Sequence, residues 1–275
     1  MTRRPPPVPL LGKEGEPGLS KGTRTGGQVV SWLRPLGVAF GLLTRLPLTC
    51  GTASDDDLGR APMFFPVVGF GLGIILAILV VIVGRRPSAA LVAVILVACL
   101  AALTGGLHLD GLADVFDGLG SAHGDRERAL AIMRDSRIGA HGAVAVTLGL
   151  LAKAVALSAL VERHAVWPIV AFPAVARWTA VYLLAFFPYV RPEGLGQAFH
   201  AGASIRQAVW ATVFVAALGV WCGSACVIPI MSALAAALAF GVWMQRRLGG
   251  LTGDVYGAAI ELAEIAFLSA AIAGW

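Results

Sequence analysis

Three aspartates lie close together in an otherwise apolar chain: Asp110, Asp114 and Asp117, within GGLHLDGLADVFDGLG. On an α-helix, their i, i+4, i+7 spacing would hold the three carboxylates within an arc of roughly 60°. Carboxylates this close repel one another unless a cation neutralises them. Mg²⁺ takes carboxylate oxygens and joins them to substrate phosphates, and no array of Cys or His offers a softer metal a site. The spacing therefore predicts one helical stripe that binds Mg²⁺.

The alternative to a metal stripe is a solvated acidic loop. The aspartates alternate with leucine, valine and phenylalanine, which is typical of a packed amphipathic helix. Gly105 and Gly106 come just before them, where the lack of a side chain would let a backbone or a bulky ligand approach. We therefore favour the packed helix, while Gly111 and Gly118 leave its continuity open.

Arginines follow the aspartates in DRERALAIMRDSRIGAHG. Arg126 and Arg128 have acidic neighbours and are typical of helix-surface ion pairs. Arg134 and Arg137 are better candidates for binding phosphate, because a guanidinium group donates two hydrogen bonds to phosphate oxygens. Together with the carboxylates and His141, they indicate phosphoryl-transfer chemistry at a membrane surface.

The composition of the chain requires a membrane around these residues. The 275 residues are 57% hydrophobic and only 13% charged, whereas a soluble domain needs about 25% charged residues. Of the net charge of +5, residues 1–27 carry five basic and two acidic residues, which leaves only +2 for the rest. The basicity therefore gives no reason to expect a nucleic-acid partner.

Two regions are expected along the chain. Residues 1–27 are rich in Pro and Gly and read as a disordered basic tail, not as a secretory signal peptide. Residues 28–275 read as one integral membrane catalytic domain. The expected fold is all-α, a polytopic transmembrane helix bundle of about seven spans. The predicted spans are 62–84, 88–106, 142–161, 165–187, 207–222, 225–244 and 256–274.

The segment 29–48 is expected to be an interfacial or re-entrant helix. Its arginines and prolines leave only about nine clean apolar residues, too few to cross a bilayer. With this assignment, the loops 49–61, 107–141, 188–206 and 245–255 share one side of the membrane. They hold nine arginines, against three on the other side. The positive-inside rule then makes the side with the long loops cytoplasmic, so the active site is predicted on cytoplasmic loops.

Four charged residues fall inside the predicted spans: Lys153, Arg177, Glu261 and Glu264. Ionisable groups at such positions are costly and face a partner or a cavity. Two alternatives stay open at this point. The four side chains either pair with one another across helices or extend the polar pocket toward substrate.

Several strings, in order along most of the chain, resemble the cobalamin synthase family, the adenosylcobinamide-GDP ribazoletransferases. The densest are TGGLHLDGLADVFDGLG and ALAIMRDSRIGAHG, in the middle of the chain. LLTRLPL, FFPVVGFGLG, ARW, RPEGLGQAF and GGLTGDVYGAAIELAE add to the resemblance on both sides. The proline-rich N-terminal extension is the clearest departure from the family's pattern.

The resemblance implies a Mg²⁺-dependent, multi-pass enzyme of the cytoplasmic (inner) membrane. Its substrates would be adenosylcobinamide-GDP and α-ribazole or α-ribazole 5′-phosphate. The products would be adenosylcobalamin, or its phosphate, and GMP, in the nucleotide-loop assembly step of vitamin B12 synthesis. The expected partners are these substrates and the lipid bilayer, and a homo-oligomer is compatible with the sequence.

The residues take roles in that reaction as follows. Asp110, Asp114 and Asp117 would hold Mg²⁺ on the diphosphate. Arg134 and Arg137 are the candidates for binding the phosphate oxygens, and His141 and Asp135 are the candidate bases. The candidates for further substrate contacts are Asp254, Gly253, Gly105 and Gly106. We prefer His141 to Asp135 as the base because imidazole titrates near neutral pH. Asp254 could instead be a fourth metal ligand.

Three other classes of protein also fit parts of the pattern. CDP-alcohol phosphotransferases place spaced aspartates on membrane helices, but their motif has an arginine where this chain has Val115. Aromatic prenyltransferases carry two separate aspartate motifs, whereas this chain has one dense motif and the lone Asp254. A transporter would explain the charges in the spans, but its halves should repeat, and the sequence shows no convincing repeat.

Overall fold

The computed structural model describes residues 25–46, 53–83, 88–191 and 195–274. The regular elements in these ranges are helices, with one isolated β-bridge between Tyr189 and Leu251. In chain order the α-helices, α1 to α12, are Thr25–Leu43, Asp55–Arg60, Phe65–Val83, Ala89–Thr104, Leu107–Ser121, Arg126–Ile132, Ala140–Glu162, Val166–Phe186, Leu195–Gly202, Ile205–Cys222, Val227–Leu248 and Gly253–Ala273. The predicted tail falls outside the described residues, apart from 25–27, which begin α1.

The predicted all-α membrane bundle is confirmed. In the described ranges, six helices are long and apolar enough to cross a bilayer, and α4 with α5 would make a seventh if that bent pair were one span. Helix α8 lies at the centre of the bundle, and 83% of its apolar stretch is buried by the other helices. By contrast, α7 and α10 expose large apolar side chains such as Leu148, Val155 and Trp221, as expected for surfaces that meet lipid.

The polar interval after α4 begins with a corner of 90° between α4 and α5. Gly105 and Gly106 form this corner in the left-handed region, with φ of 63° and 72°, where a side chain would be strained. Helix α5 is amphipathic and runs across the direction of α4, so we do not count it as a membrane-spanning segment. It continues unbroken from Leu107 to Ser121, so Gly111 and Gly118 do not interrupt the predicted helix.

The segment predicted at 29–48 lies in α1 up to Leu43, and its described apolar stretch, Leu33–Leu43, is too short to cross a bilayer. Residues 47 and 48 lie outside the described residues. Its end is joined to the end of α4, since the amide of Arg45 donates to the carbonyl of Leu103 at 2.7 Å. The side chain of Arg45 then lies against Gly105. The end of the predicted interfacial segment therefore lies beside the corner at Gly105 and Gly106, where α5 begins.

The predicted loops come together at one end of the bundle, as expected, but they carry short helices. Helix α2 packs on α9 where Gly59 meets Gly202. The segment after α8 pairs with the one before α12, because the amide of Val190 donates to the carbonyl of Leu251 at 2.9 Å. Helix α6 packs on α5 and α11. Asp110, Asp114 and Asp254 therefore lie on helices, whereas Arg134, Asp135 and Arg137 lie on the segment between α6 and α7.

Candidate active site

Asp110 and Asp114 of α5 lie beside Asp254, which opens α12. The two helices approach closely at Gly111, where a Cβ atom would lie 2.6 Å from the carbonyl oxygen of Asp254. Thr252 caps α12 by accepting a hydrogen bond from the amide of Val255 at 3.3 Å. The close crossing thus brings a carboxylate from the end of the chain to the predicted stripe.

The carboxylates of Asp110, Asp114 and Asp254 repel one another. Partial burial, the neighbouring Asp110 and, more weakly, Asp254 raise the pKa of Asp114 to about 7. The guanidinium of Arg191 opposes this rise. A second positive charge at the cluster would therefore be favourable, because it would stabilise the ionised form of all three carboxylates.

Arg191 is a site residue that the sequence reasoning did not single out. Its Nη2 atom donates to Oδ2 of Asp254 at 2.7 Å and to the carbonyl of Met133 at 3.4 Å. Both charged side chains are about one-fifth exposed, so the pair can still meet a ligand. The available signal was the string RPEGLGQAF, in which Arg191 is the first residue.

Asp117 has a different environment from the other two aspartates of the stripe. Its oxygens accept hydrogen bonds from the amides of Gly139 and Gly142, at 2.7 and 2.8 Å. The side chain is buried and holds the start of α7 against α5. In the described part of the chain, no group of three or more His, Cys, Asp or Glu side chains is placed to hold a metal ion. Asp110 lies near enough to Asp114 to repel it, and Asp117 repels it more weakly, while Asp117 anchors α7 through its two amide hydrogen bonds.

Four predicted residues lie on the segment between α6 and the start of α7. Asp135 and Arg137 form an exposed ion pair, with Nη2 of Arg137 donating to Oδ2 of Asp135 at 2.6 Å. Hydrogen bonds from the side chain and the amide of Arg137 lower the pKa of Asp135 to about 2, which makes it a poor base at neutral pH. Arg134 and His141 are exposed. The imidazole of His141 lies over Gly120, near the end of α5.

None of these four side chains forms a hydrogen bond or ion pair with Asp110, Asp114 or Asp254 among the described residues. The predicted site residues therefore fall into two parts whose side chains share no hydrogen bond or ion pair among the described residues, although Arg191 of the first part contacts the carbonyl of Met133 beside the second. The carboxylates and Arg191 form one part at the crossing of α5 and α12. The other part is the exposed segment that carries His141.

Two cavities meet at Asp110. The larger, about 660 Å³, lies at the corner between α4 and α5, and it is lined by Arg45, Gly105, Gly106 and Asp110. The smaller, about 240 Å³, lies between α5, α8, α9 and α12, and Gly253 and Asp254 line it with Asp110. The predicted substrate contacts Gly105, Gly106 and Gly253 thus line the two cavities next to the carboxylates.

The charged residues of the spans pair with one another, which is the first of the two alternatives left open by the sequence. Nζ of Lys153 donates to Glu261 at 2.6 Å and to Glu264 at 3.0 Å. Arg177 donates to the other oxygen of Glu264 and, at 3.2 Å, to Nδ1 of His108. All five side chains are buried. His108 stands two residues before Asp110, so this network also supports the first turn of α5.

The carboxylates fit Mg²⁺ better than any softer metal. Mg²⁺ in proteins is held by one or two carboxylates and completes its shell with water and substrate phosphates. Asp110 and Asp114 supply two carboxylates at the rim of a cavity, and Asp254 lies near while paired with Arg191. Such a pair is sufficient for a metal that shares its ligands with a phosphate.

Fold and site together define a helical membrane protein with a carboxylate and arginine centre at one end of its bundle. A family model described as cobalamin-5-phosphate synthase matches residues 35–272. The adenosylcobinamide-GDP ribazoletransferase of Geotalea daltonii is 42% identical over 253 residues, which cover 88% of this chain and 98% of that protein. The enzyme of the same name from Klebsiella pneumoniae is 38% identical, over 84% of this chain and 96% of its own. The chain belongs to the cobalamin-5-phosphate synthase family. No solved structure matches it.

Proposed function

We propose that the protein transfers the cobinamide phosphate of adenosylcobinamide-GDP to α-ribazole or its 5′-phosphate and releases GMP. The observation that supports this reaction is the cluster of Asp110, Asp114, Asp254 and Arg191 at the meeting point of two cavities. It offers negative charge for a metal and positive charge for a phosphate within one site. A diphosphate substrate needs both.

The residues that would hold Mg²⁺ are Asp110 and Asp114. Bound there, Mg²⁺ would neutralise charge on the diphosphate and on the leaving phosphate. Arg191, beside Asp254, is placed to donate hydrogen bonds to non-bridging oxygens, and Arg45 reaches the larger cavity from the end of α1. Arg134 is a further phosphate contact on the exposed segment.

The reaction replaces the phosphoanhydride bond of the diphosphate with a phosphodiester bond to ribose. A ribose hydroxyl of α-ribazole attacks the phosphorus that carries cobinamide, and the bond from that phosphorus to the oxygen of GMP breaks. The proton of the hydroxyl passes to a base, and the electron pair of the broken bond leaves with GMP. Of the two predicted bases, His141 is the better candidate, because the ion pair with Arg137 makes Asp135 a weak base. His141 lies over Gly120, so the exposed segment that carries it would have to approach the carboxylates to reach the hydroxyl.

An assay of the purified protein in detergent tests this proposal. With adenosylcobinamide-GDP and α-ribazole present, we expect one GMP released per corrinoid product formed. Chelation of divalent cations should stop GMP release, and added Mg²⁺ should restore it. GMP formed without α-ribazole would indicate hydrolysis and not transfer. A rate that is unaffected by chelation would contradict the metal proposal alone.

We also propose that the site faces the cytoplasm, because the positive-inside rule places the arginine-rich ends there. Helix α7 offers a test, since Ser136 precedes it, Glu162 ends it, and both are exposed. In inverted membrane vesicles, a membrane-impermeant maleimide should label a Ser136→Cys variant and not a Glu162→Cys variant. Intact cells should give the opposite pattern. Labelling of the Ser136→Cys variant from outside intact cells would reverse the orientation.

A further inference from the structure

The smaller cavity beside Asp110 has mostly apolar walls. Leu43, Phe65, Ala180, Leu184 and Phe199 are buried apolar residues that line it, and its polar edge is formed by Asp110 and Asp254. Pockets for a whole drug-sized ligand measure about 300–1,000 Å³. At about 240 Å³, this cavity has room for a fragment the size of a bicyclic base and not for a corrin ring.

Two buried polar atoms in the lining of this cavity have no hydrogen-bond partner among the described residues: the hydroxyl of Tyr256 and Nε2 of His108. Buried polar groups without partners are rare and call for an explanation. Arginine can only donate hydrogen bonds, so the contact from Arg177 makes Nδ1 of His108 the acceptor. The proton of a neutral imidazole then lies on Nε2. Two residues that line the cavity thus carry hydrogen-bond donors that no described protein atom accepts from.

The ring of Tyr256 is held in place. It stacks on Tyr189 with a centroid distance of 6.2 Å and an interplanar angle of 18°, and Tyr189 stacks in turn on His200 at 5.8 Å. A hydroxyl fixed in this way is prepared for an acceptor at one position.

The walls discriminate between the guanine of adenosylcobinamide-GDP and the base of α-ribazole. Guanine has several donors and acceptors along its edges, and most would be left unpaired against leucine and phenylalanine, at a large cost. The dimethylbenzimidazole of α-ribazole has two methyl groups and, once joined to ribose, a single ring nitrogen that accepts a hydrogen bond. Its apolar body matches the walls, and its nitrogen matches a donor.

We propose that this cavity binds the dimethylbenzimidazole base of α-ribazole, with the hydroxyl of Tyr256 donating a hydrogen bond to the ring nitrogen. The assignment rests on the proposed function and names the subsite of one substrate. With the base between α8 and α12, the ribose lies at the polar edge of the cavity, next to Asp110 and Asp254. The corrinoid diphosphate is then left to the larger cavity.

The Tyr256→Phe variant tests the hydrogen bond. It removes a hydroxyl that has no partner among the described residues, so the thermal midpoint should be unchanged or higher. The Kd of α-ribazole, measured by calorimetry in detergent, should rise about tenfold. An α-ribazole analogue with CH in place of the ring nitrogen should bind both proteins equally. The matched control is Tyr182→Phe, whose hydroxyl contacts Thr212 at 2.9 Å outside the cavity; there the Kd should not change.

The Ala180→Leu variant tests the location by filling the cavity. We expect the Kd of α-ribazole to rise more than tenfold and that of adenosylcobinamide-GDP to stay within about twofold. Ala185→Leu, on the same helix and outside the lining, is the control. Unchanged α-ribazole binding in Tyr256→Phe, or none in the unaltered protein, overturns the subsite. An effect confined to adenosylcobinamide-GDP assigns the cavity to guanine and also overturns it. Absence of GMP release despite α-ribazole binding overturns the proposed function instead.

Discussion

The Asp114→Asn variant should fold normally and lose turnover by a factor on the order of a thousand. The substitution removes one of the two carboxylates assigned to Mg²⁺ while keeping the size of the side chain. It also relieves the repulsion among Asp110, Asp114 and Asp254, so the thermal midpoint should not fall. The rate of GMP release and thermal unfolding in detergent are the two measurements.

The same variant should alter how stability depends on pH. Since the folded protein raises the pKa of Asp114 to about 7, above the ordinary value near 4, the folded state holds this proton more tightly than the unfolded state. Stability of the metal-free protein should therefore decline as pH rises from about 4 to about 7. Asp114→Asn should reduce this decline, which is followed by the thermal midpoint in the presence of a chelator.

Asp117→Asn is the matched control, because it makes the same chemical change one turn along α5. Asp117 accepts two amide hydrogen bonds from the start of α7, and an asparagine can satisfy only one of them with its single acceptor. We expect a loss of about 1–3 kcal/mol in the free energy of unfolding and a much smaller effect on the rate of the folded fraction. Full stability with complete loss of turnover in Asp117→Asn would instead favour a metal site made by all three aspartates.

The course of the helices could be predicted from local patterns. Apolar runs located the spans, and the alternation around Asp110 and Asp114 predicted α5, because both patterns depend on neighbours along the chain. The grouping of the polar loops also followed from the sequence, because consecutive spans cross the bilayer in opposite directions and every second loop therefore lies on the same side. What could not be predicted is the corner at Gly105 and Gly106, because two adjacent glycines permit many directions.

The composition of the site depended on contacts between distant segments. The i, i+4, i+7 rule treats Asp110, Asp114 and Asp117 as equivalent, and only the packing of α7 separates the third from the others. Arg191 reaches Asp254 because a β-bridge joins segments about sixty residues apart in sequence. No periodicity records such a contact. For the same reason, the sequence could place Lys153 and Glu264 in spans but could not decide that they pair.

Removing the carboxylate of Glu264 should cost about 3–5 kcal/mol of stability. Glu264 is fully buried and binds two cations, since Lys153 donates to one oxygen and Arg177 to the other. In Glu264→Gln, the side-chain amide keeps one acceptor oxygen, and its NH2 group faces either Lys153 or Arg177. Arg177 is also fully buried and has no access to water. Thermal unfolding in detergent and the yield of folded protein measure the effect.

The neighbouring Glu261 provides the matched control, because Glu261→Gln removes the same charge one turn away on α12. Among the described residues, Glu261 hydrogen-bonds only to Lys153. Glu264 continues to neutralise Lys153 and Arg177 in Glu261→Gln, so this variant should destabilise the fold less. Replacing both partners, as in Lys153→Met with Glu261→Gln, should recover stability, since a buried ion pair can be exchanged for apolar or neutral groups at little cost. If Glu264→Gln kept its thermal midpoint and lost only turnover, the network would be a contact for substrate, and the first turn of α5 would owe its position to helix packing alone.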